Sequence, residues 1–386
     1  MKKMIKLYYE DSYIKDFTAE VKKCIPRENG YAVLLSKTAF FPTAGGQECD
    51  SGTLDGQAVL SVFTQNDEVY HIVENPIEIG KTVSGKLDFD GRFRKMQHHS
   101  AEHIVSGLAF SEFGLNNVGF HLDGSGVTVD YDAEIGEKEL SKLELLANEA
   151  VWKNLPITAS YPTEEELEKI SYRSKIDILG KIRIIEIEGI DICACCVPHL
   201  KRTGEIGVIK FTDMIRHRGG VRIRMICGKD ALSDYSEKQT SVSAISTMLS
   251  VPQVDAEKAV IKLKNDFDSL KREWAEEIKK LAIIQAENIP QTDGNYYVFA
   301  DITDKNALRI LANEGKNRVG GIFAVFSGND KDGYSYILAA KSGLKDFVKM
   351  LNSDLLGKGG GSDIMAEGHV LSAKERIETV LKSYKF

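Results

Sequence analysis

The sequence predicts an α+β protein with several domains, and three observations lead to this prediction. Short strand-like runs such as YAVLLS and DEVYHIVE, separated by turn residues, fill residues 1–90. Helix-type spacing begins near residue 92 and then alternates with strand-like runs as far as residue 230. At 386 residues, the chain also exceeds the size at which one hydrophobic core usually stops growing.

We expect four consecutive regions. They are a small β-barrel-like domain (1–90), an α+β domain (91–230), a long helical connector (231–287) and a C-terminal α/β domain (288–386). The connector carries apolar residues at three- and four-residue steps, close to a coiled-coil seam: Val260, Leu263, Phe267, Leu270, Trp274 and Leu281. A helix pair that packs on itself and a dimer interface both remain open.

Composition excludes several classes of protein. Hydrophobic residues make up 42% and charged residues 28% of the chain, which excludes a disordered protein. No apolar run approaches the roughly 18 residues of a membrane span, and the N-terminus lacks a secretory signal, so we expect a cytoplasmic protein. The net charge of −7 argues against a general polyanion binder. Residues 201–230 nevertheless hold eight Lys or Arg against three acids, a balance of +5.

Two pairs of metal-ligating residues share a four-residue spacing. His99 and His103 lie in a helical segment, which places both imidazoles on one face. Cys195 and His199 repeat the spacing after a predicted strand, and one thiolate with three imidazoles suits Zn²⁺. The six cysteines are too few and too clustered for a disulfide framework. Cys193 or Cys196 competes for the metal in this prediction, and the site is either structural or catalytic.

Four separated motifs carry a family resemblance. His99-Ser-Ala-Glu-His103 and Cys195-Cys-Val-Pro-His199 resemble the editing domain of alanyl-tRNA synthetase and its free-standing relatives, the AlaX proteins. The loop Thr38–Gly52 and the strand Gly219–Arg224 are similar to further motifs of that domain. The Gly-rich segment Gly357–Gly368 resembles the DHH-associated domain that closes alanyl-tRNA synthetase. The resemblance covers almost the whole chain.

The resemblance implies a long-form AlaX protein that acts in trans. Fewer than forty residues precede Thr38, so we expect no aminoacylation domain. The implied reaction is hydrolysis of Ser-tRNA(Ala), with Gly-tRNA(Ala) as a second candidate substrate, at a zinc ion held by the four residues above. Thr38 would then hydrogen-bond the serine hydroxyl, and Gln47 would contact substrate or the attacking water. Gly45 and Gly46 would let the backbone approach the ligand closely.

Basic residues are candidates for contacts with the tRNA acceptor stem. They are Arg92, Arg94, Lys95, Arg216, Arg218, Arg222, Arg224 and, in the Gly-rich segment, Lys358. The C-terminal domain would bind the outer part of the tRNA or assist formation of a homodimer. Two other functions stay open: a zinc-stabilised tRNA-binding module without turnover, and a deacylase of another aminoacyl-tRNA. The choice between serine and glycine and the identity of the general base also stay open.

Overall fold

The computed structural model describes residues 4–174 and 182–384. It is a mixed α+β chain that divides into two compact units, Met1–Ser241 and Val242–Phe386. Within the described residues, no helix combines the length and the apolar character that crossing a lipid bilayer requires.

The first unit begins with a β-rich region. Its elements are β1 (Ile5–Lys6), α1 (Leu7–Glu10), β2 (Asp16–Arg27), β3 (Gly30–Leu35), β4 (Lys37–Thr38), β5 (Gly52–Leu54), β6 (Gln57–Ala58), β7 (Ser61–Gln65), β8 (Glu68–Val73) and β9 (Thr82–Leu87). Seven strands form an antiparallel sheet in the order β6-β5-β9-β2-β3-β8-β7. Strands β1 and β4 form a separate parallel pair.

Strand alternation explains how this sheet encloses one core. In β2, the inward residues Phe17, Ala19 and Val21 are buried while their neighbours are exposed. The first part of β2 pairs with β9 and its last part with β3, so this long strand joins the two halves of the sheet. Residues from both halves, such as Leu54 and Val69, therefore meet in the same hydrophobic cluster.

The second part of this unit surrounds a long helix. Its elements are α2 (Phe89–Phe113), β10 (Asn117–Asp123), β11 (Gly126–Tyr131), α3 (Glu137–Trp152), β12 (Ile157–Ser160), α4 (Glu164–Leu167), β13 (Ile184–Ile187), β14 (Asp191–Ala194), β15 (Ile209–His217), β16 (Gly220–Cys227) and α5 (Gly228–Leu249). Two antiparallel sheets form, in the orders β10-β11-β16-β15 and β12-β13-β14.

Helix α2 is the element that positions the site. It begins at an Asp88 cap, whose carboxylate accepts a hydrogen bond from the Gly91 amide at 3.1 Å. It ends at Gly114, which has a left-handed φ of 69°. Between these ends, residues 98–109 are all buried against both sheets and α3, including polar side chains. A helix that is buried on every side must satisfy those polar groups internally.

Two predicted elements differ in detail from the structure. The sequence predicts one strand over residues 182–196, whereas the structure has a hairpin of β13 and β14 that turns at Gly189, where φ is 69°. The predicted helical stretch is two helices, because α5 ends at Leu249 and α6 begins at Ala256. Pro252 lies between them and cannot donate the backbone hydrogen bond that a continuous helix needs.

The second unit is built on one five-stranded sheet. Beyond the end of α5, its elements are α6 (Ala256–Glu287), β17 (Tyr296–Phe299), α7 (Lys305–Gly315), β18 (Phe323–Asn329), β19 (Gly333–Ala339), α8 (Leu344–Asp354), β20 (Lys358–Gly361), β21 (Met365–Val370) and α9 (Lys374–Ser383). The strand order is β17-β18-β19-β21-β20, and only β17 runs parallel to its neighbour.

Two clusters of buried residues occupy this unit. Buried side chains of α8 and α9, such as Leu351 and Ile377, belong to one cluster with the sheet. Buried side chains of α7, such as Leu311, belong to the other with Ala282 and Ala286 of α6. The Gly-rich segment forms the edge strand β20, and its four residues are exposed. The seam residues of α6 from Val260 to Leu281 are also exposed.

Candidate metal and substrate site

The two helical histidines face the same way on α2. His99 and His103 are 3% and 2% exposed, and their ring centroids lie 5.4 Å apart. One turn of helix separates the residues, so both rings project from one face, as the spacing predicts. The two imidazoles on this helix are therefore close enough to belong to one cluster.

The other two members come from the loop that follows β14. The Sγ atom of Cys195 lies 3.3 Å from Nε2 of His99 and 3.4 Å from Nε2 of His199. The ring of His199 lies 4.5 Å from that of His103, centroid to centroid. One donor atom from each of the four residues falls within 4.8 Å of all the others. Residues nearly a hundred positions apart in the chain thus form one cluster.

The spacing of these donors fits a tetrahedral ion. With zinc–nitrogen bonds of about 2.0–2.1 Å and a zinc–sulfur bond of about 2.3 Å, a tetrahedral site separates sulfur from nitrogen by about 3.6 Å. The two sulfur–nitrogen distances above are 3.3 and 3.4 Å. A His₃Cys cluster with this spacing can hold a metal ion.

A second layer of hydrogen bonds fixes the donors. Asp191 accepts a hydrogen bond from Nδ1 of His103 at 2.9 Å, which leaves Nε2 of that ring to bind a metal. Arg173 donates two hydrogen bonds to the same carboxylate, at 2.7 and 2.9 Å. Although burial favours the neutral acid, these hydrogen bonds hold the pKa of Asp191 below its usual value. Asp191 is therefore a carboxylate that orients His103.

The cysteine and the last histidine are held in the same manner. Nδ1 of His199 lies 3.1 Å from the Ser100 hydroxyl, and the Val197 amide donates to Sγ of Cys195 at 3.4 Å. Burial raises the pKa of the Cys195 thiol, and burial together with the neighbouring histidines lowers the pKa of His199. Metal binding must therefore displace the Cys195 proton, whereas His199 is already neutral.

Arg183 shapes the loop that carries Cys195. Its guanidinium donates to the carbonyl oxygens of Cys195 and Val197, at 3.0 and 2.9 Å. It also lies over the ring of Tyr9, 5.4 Å from the centroid. The loop conformation that aims the thiol at the histidines is thus fixed by a side chain from the start of the hairpin.

The cluster forms one wall of a cavity of about 410 Å³. The cavity is lined by Gly45, Gly46, His99, Glu102, His103, Phe120, Cys193, Ala194, Cys195 and Cys196. Its volume matches that of pockets that bind small molecules. A metal ion held by the four donors would therefore face a space large enough for an amino-acid moiety.

The two predicted glycines also line the cavity. Gly45 and Gly46 have left-handed φ values of 60° and 74°. A Cβ on Gly46 would lie 2.6 Å from the Phe120 ring, and one on Gly45 would lie 2.8 Å from Val197. Both conformation and space therefore demand glycine at these positions.

Gln47 is buried directly behind this turn. It is 1% exposed, and neither its amide nitrogen nor its amide oxygen has a hydrogen-bond partner among the described residues. Its backbone bridges to Leu122, and the Leu122 amide donates to the Gly46 carbonyl at 3.0 Å. A buried amide without partners is unusual in a folded protein and indicates a ligand or solvent contact.

Thr38 lies in β4 and is not among the residues that line the cavity. Its side chain is fully buried, and its hydroxyl lies 2.8 Å from Nε2 of His71. The same oxygen accepts a hydrogen bond from the Phe40 amide at 3.1 Å. The Thr38 hydroxyl is thus hydrogen-bonded to groups of the β-rich region.

Three further residues, His98, Cys193 and Cys196, lie close to the four donors in the sequence and differ in burial and contacts. His98 is fully buried and accepts a hydrogen bond from the Cys227 amide at 3.2 Å, so it holds α2 to the end of β16. Cys196 is exposed and lines the cavity. Cys193 is buried and forms a second possible ligand group with His103 and Asp191. Its competition for a metal therefore has a geometric basis.

The basic residues that are expected to contact RNA differ in exposure. Arg92 is 1% exposed and pairs with Asp50, which removes it from that set because its guanidinium cannot reach a phosphate. Three others are engaged with the protein: Arg94 with Asp230, Lys95 with the Cys49 carbonyl, and Arg222 with Asp130. The remaining four are exposed, namely Arg216, Arg218 and Arg224 in the β15–β16 hairpin and Lys358 in β20. Of these, Arg216 also forms an exposed ion pair with Glu134, at 3.1 Å.

Sequence reasoning missed Asp191, Arg173, Arg183 and Phe120, which support or line the site. Asp191 begins the strand that leads to Cys195, but a single acid at that position carries no recognisable pattern. Glu102 was also missed as a wall residue, although it directly precedes His103 in the sequence. Its place between two histidines on one helix is the signal that points to it.

The sequence of this chain is similar to proteins named for tRNA editing. Residues 182–243 match the family model described as the threonyl and alanyl tRNA synthetase second additional domain. The chain is 29% identical to the alanyl-tRNA editing protein Aarsd1 of Danio rerio, with 97% of each chain covered. It is 26% identical to the alanyl-tRNA editing protein AlaX-L of Pyrococcus horikoshii, with 96% of each covered.

Alanine–tRNA ligases are also similar, but over less of their length. The ligase of Pyrococcus abyssi is 29% identical, and the match covers 97% of this chain but 43% of the ligase. The chain thus spans less than half of the ligase and nearly all of the editing proteins.

Proposed function

Because this chain belongs to the family of alanyl-tRNA editing proteins, we propose that it hydrolyses the ester bond of tRNA(Ala) carrying the wrong amino acid. Serine is the amino acid that we expect it to remove, and glycine is the second candidate. Both differ from alanine by one small group, and such differences are worth only about 1–3 kcal/mol in an apolar pocket. A separate hydrolytic site is therefore useful in correcting errors of charging.

The observation that carries this proposal is the four-donor cluster that opens onto a cavity of about 410 Å³. In the proposal, His99, His103, Cys195 and His199 bind Zn²⁺, and the aminoacyl group enters the cavity. Bound zinc supplies a Lewis acid that polarises a carbonyl and lowers the pKa of water. In this proposal the protein holds the ester close to the cluster and excludes bulk water.

The glycine turn that lines the cavity orients the substrate in this proposal. The backbone at Gly45 and Gly46 can approach the aminoacyl group closely, because neither residue has a side chain in the way. The unpartnered amide of Gln47 then contacts the substrate or the attacking water. The resemblance also gives Thr38 a role in recognising the serine hydroxyl, although its hydroxyl is hydrogen-bonded to His71.

The body of the tRNA requires positive charge outside the cavity. The exposed arginines of the β15–β16 hairpin, Arg216, Arg218 and Arg224, are the residues that we propose to contact the acceptor-stem phosphates. In the second unit, Lys358 lies exposed on an edge strand of glycines, where backbone amides are accessible to phosphate.

Helix α6 is the element through which we propose that a homodimer forms. Its exposed apolar residues recur with the heptad spacing of a coiled coil. An exposed stripe of this length is unusual for a helix that has no partner.

A zinc-stabilised tRNA-binding module is the second candidate function. Four protein ligands can complete a tetrahedral site, and a closed site of this kind is typical of structural zinc. A deacylase of another aminoacyl-tRNA is the third candidate.

The deciding experiment measures release of labelled serine from Ser-tRNA(Ala) present in excess over the protein. Turnover supports a hydrolase, whereas release of no more than one equivalent supports the binding module. Gly-, Thr- and Ala-charged tRNAs are assayed in parallel, and Ala-tRNA(Ala) should remain intact.

His103→Ala and Cys195→Ala should each abolish release and bound zinc. His121→Ala is the matched control, since this histidine is in the same unit and its side chain is 66% exposed. Unchanged release by either ligand variant would contradict the proposed site.

A further inference from the structure

One acidic side chain lies in the wall of the cavity, beside the helical histidines. Glu102 is 2% exposed and lines the cavity together with His99 and His103. Residues three and four positions apart are neighbours on a helix surface, so Glu102 and His103 each lie beside His99 on α2. Of the described residues that line this cavity, Glu102 alone carries a carboxyl group.

Hydrogen bonds from Ser106 and Asn117 help to orient this carboxyl group. Oε1 accepts from the Ser106 hydroxyl at 2.7 Å and from the Asn117 amide nitrogen at 2.5 Å. The Ser106 oxygen in turn accepts from Asn117 at 3.0 Å and lies 3.2 Å from the Tyr131 hydroxyl. This network comes from α2, β10 and β11, so the carboxylate is held by three elements rather than by a loop.

The other ionisable groups of the wall are poor candidates for a base. His99 and His103 belong to the four-donor cluster. Cys195 is also a member of that cluster. Asp191 lies behind His103 and is engaged by Arg173.

The order of residues on α2 has a chemical meaning. In metallopeptidases, two histidines four residues apart on a helix bind zinc, and a glutamate between them acts as general base toward water. This chain has the same residue types in the order His99-x-x-Glu102-His103. The structure adds that Glu102 faces the cavity that the two histidines face.

We propose that Glu102 is the general base of the deacylation reaction. This inference rests on the proposed function, because it names the group that activates water for that reaction. It makes Glu102 a catalytic residue, since its carboxylate contacts the attacking water.

The proposed step balances as follows. The Glu102 carboxylate takes one proton from water while the water oxygen bonds to the ester carbonyl carbon. The bond from that carbon to the terminal ribose oxygen then breaks, and Glu102 returns the proton to the departing oxygen. The products are tRNA with a free hydroxyl and the amino acid, whose new carboxyl group releases one proton to solvent.

Glu102→Gln is the test variant, because glutamine keeps an oxygen for Ser106 and Asn117 but cannot accept the proton. We expect kcat for serine release to fall by about 10²–10⁴-fold, while KM stays within about threefold. Zinc content, measured on the purified protein, and the melting temperature should match wild type. Glu112→Gln is the matched control, because Glu112 lies on the same helix and is exposed.

A second variant tests the chemistry of the lost group. Glu102→Ala removes the carboxylate and leaves space, so added formate should restore part of kcat in proportion to its concentration. Formate should have no effect on Glu102→Gln, in which the amide fills that space.

Each other outcome overturns the inference in a recognisable way. Glu102→Gln with wild-type kcat would place the base elsewhere, and a raised KM with unchanged kcat would mean that Glu102 binds the substrate's ammonium group. Loss of zinc from Glu102→Gln would mean that the residue supports the metal. A wild-type protein that loads zinc but releases no amino acid would overturn the proposed function, and this inference with it.

Discussion

The Thr38 hydroxyl donates a hydrogen bond to Nε2 of His71, at 2.8 Å, in the interior of the β-rich region. The direction follows from the other ring nitrogen. Nδ1 lies 3.1 Å from the Val33 carbonyl, which can only accept, so Nδ1 carries the proton and Nε2 of the neutral ring accepts. Thr38 also accepts from the Phe40 amide and thereby links two buried polar groups.

Thr38→Val should therefore destabilise the first unit. It removes one acceptor and one donor from a fully buried site, which costs about 1–3 kcal/mol in the free energy of unfolding. Urea denaturation measures this change, and Thr64→Val, on the exposed part of β7, should stay within about 0.5 kcal/mol of wild type. Unchanged stability combined with lost discrimination between Ser- and Ala-tRNA(Ala) would instead support the substrate role that the resemblance implies.

His71 predicts an acid-sensitive fold. Burial lowers the pKa of His71 from 6.5 to about 4, so below pH 6.5 the unfolded chain binds a proton that the folded chain does not. The free energy of unfolding should therefore fall between pH 6.5 and pH 4, by up to about 3 kcal/mol from this residue. His71→Gln should have lower stability at pH 7 and a shallower decline over this range. An equal pH dependence in the two proteins would contradict the prediction.

Asp191→Asn should weaken zinc binding without removing a ligand. The substitution takes away the charge that orients His103, and losses of this kind cost about 10–100-fold in metal affinity. Competition with a chromophoric chelator measures the zinc dissociation constant. Asp16→Asn, on the exposed side of β2, should bind zinc as wild type does. Equal affinities for the two variants would show that the contact with His103 is unimportant for the metal.

Gly46→Ala should impair the cavity more than its backbone cost alone explains. The new methyl group would lie 2.6 Å from the Phe120 ring in addition to the strain of a φ of 74°. Gly80→Ala isolates the backbone cost, since Gly80 has a φ of 88° and open space around it. We expect Gly80→Ala to lose about 1 kcal/mol of stability, Gly46→Ala to lose more because of the clash, and Gly46→Ala alone to raise KM for Ser-tRNA(Ala). A normal KM in Gly46→Ala would exclude this wall from substrate binding.

Leu270→Glu should dissociate the proposed homodimer. Leu270 lies in the middle of the exposed apolar stripe of α6, where a buried charge would be costly. Sedimentation equilibrium should show a dimer for wild type and a monomer for this variant. Asn265→Glu, outside the stripe, should remain dimeric. A monomeric wild type would exclude dimerisation through this helix.

The sequence predicts the local parts of the site better than their assembly. The four-residue spacings of His99 with His103 and of Cys195 with His199 are local. The helix and the loop after the strand therefore determine the distance within each pair. That the two pairs meet depends on how β14 packs against α2, which no spacing in the chain reveals. Asp191 and Arg173 were not predicted for this reason, because they can orient His103 only in the folded arrangement that brings the two pairs together.

Arg92 shows the opposite difficulty. A run of basic residues at the start of a helix is typical of a surface that binds nucleic acid, yet the Arg92 side chain is buried against Asp50 and the carbonyls of Ser12 and Ala39. A sequence pattern reports the charge of a side chain and not whether an acid from a distant loop neutralises it. Exposure alone separates Arg92 from Arg224.

Arg92 lies seven positions before His99 on the same continuous helix, so this helix contacts Asp50 of the β-rich region near its start and carries two residues of the four-donor cluster farther along. Metal binding at the cluster would consequently be linked to the folding equilibrium of the unit that contains the sheet. Zinc at a hundred times its dissociation constant would add about 2.7 kcal/mol to the resistance of this unit against unfolding. When zinc is scarce, more molecules would unfold and be degraded by cellular proteases. Both the amount of the protein and its catalytic rate would then depend on the zinc supply.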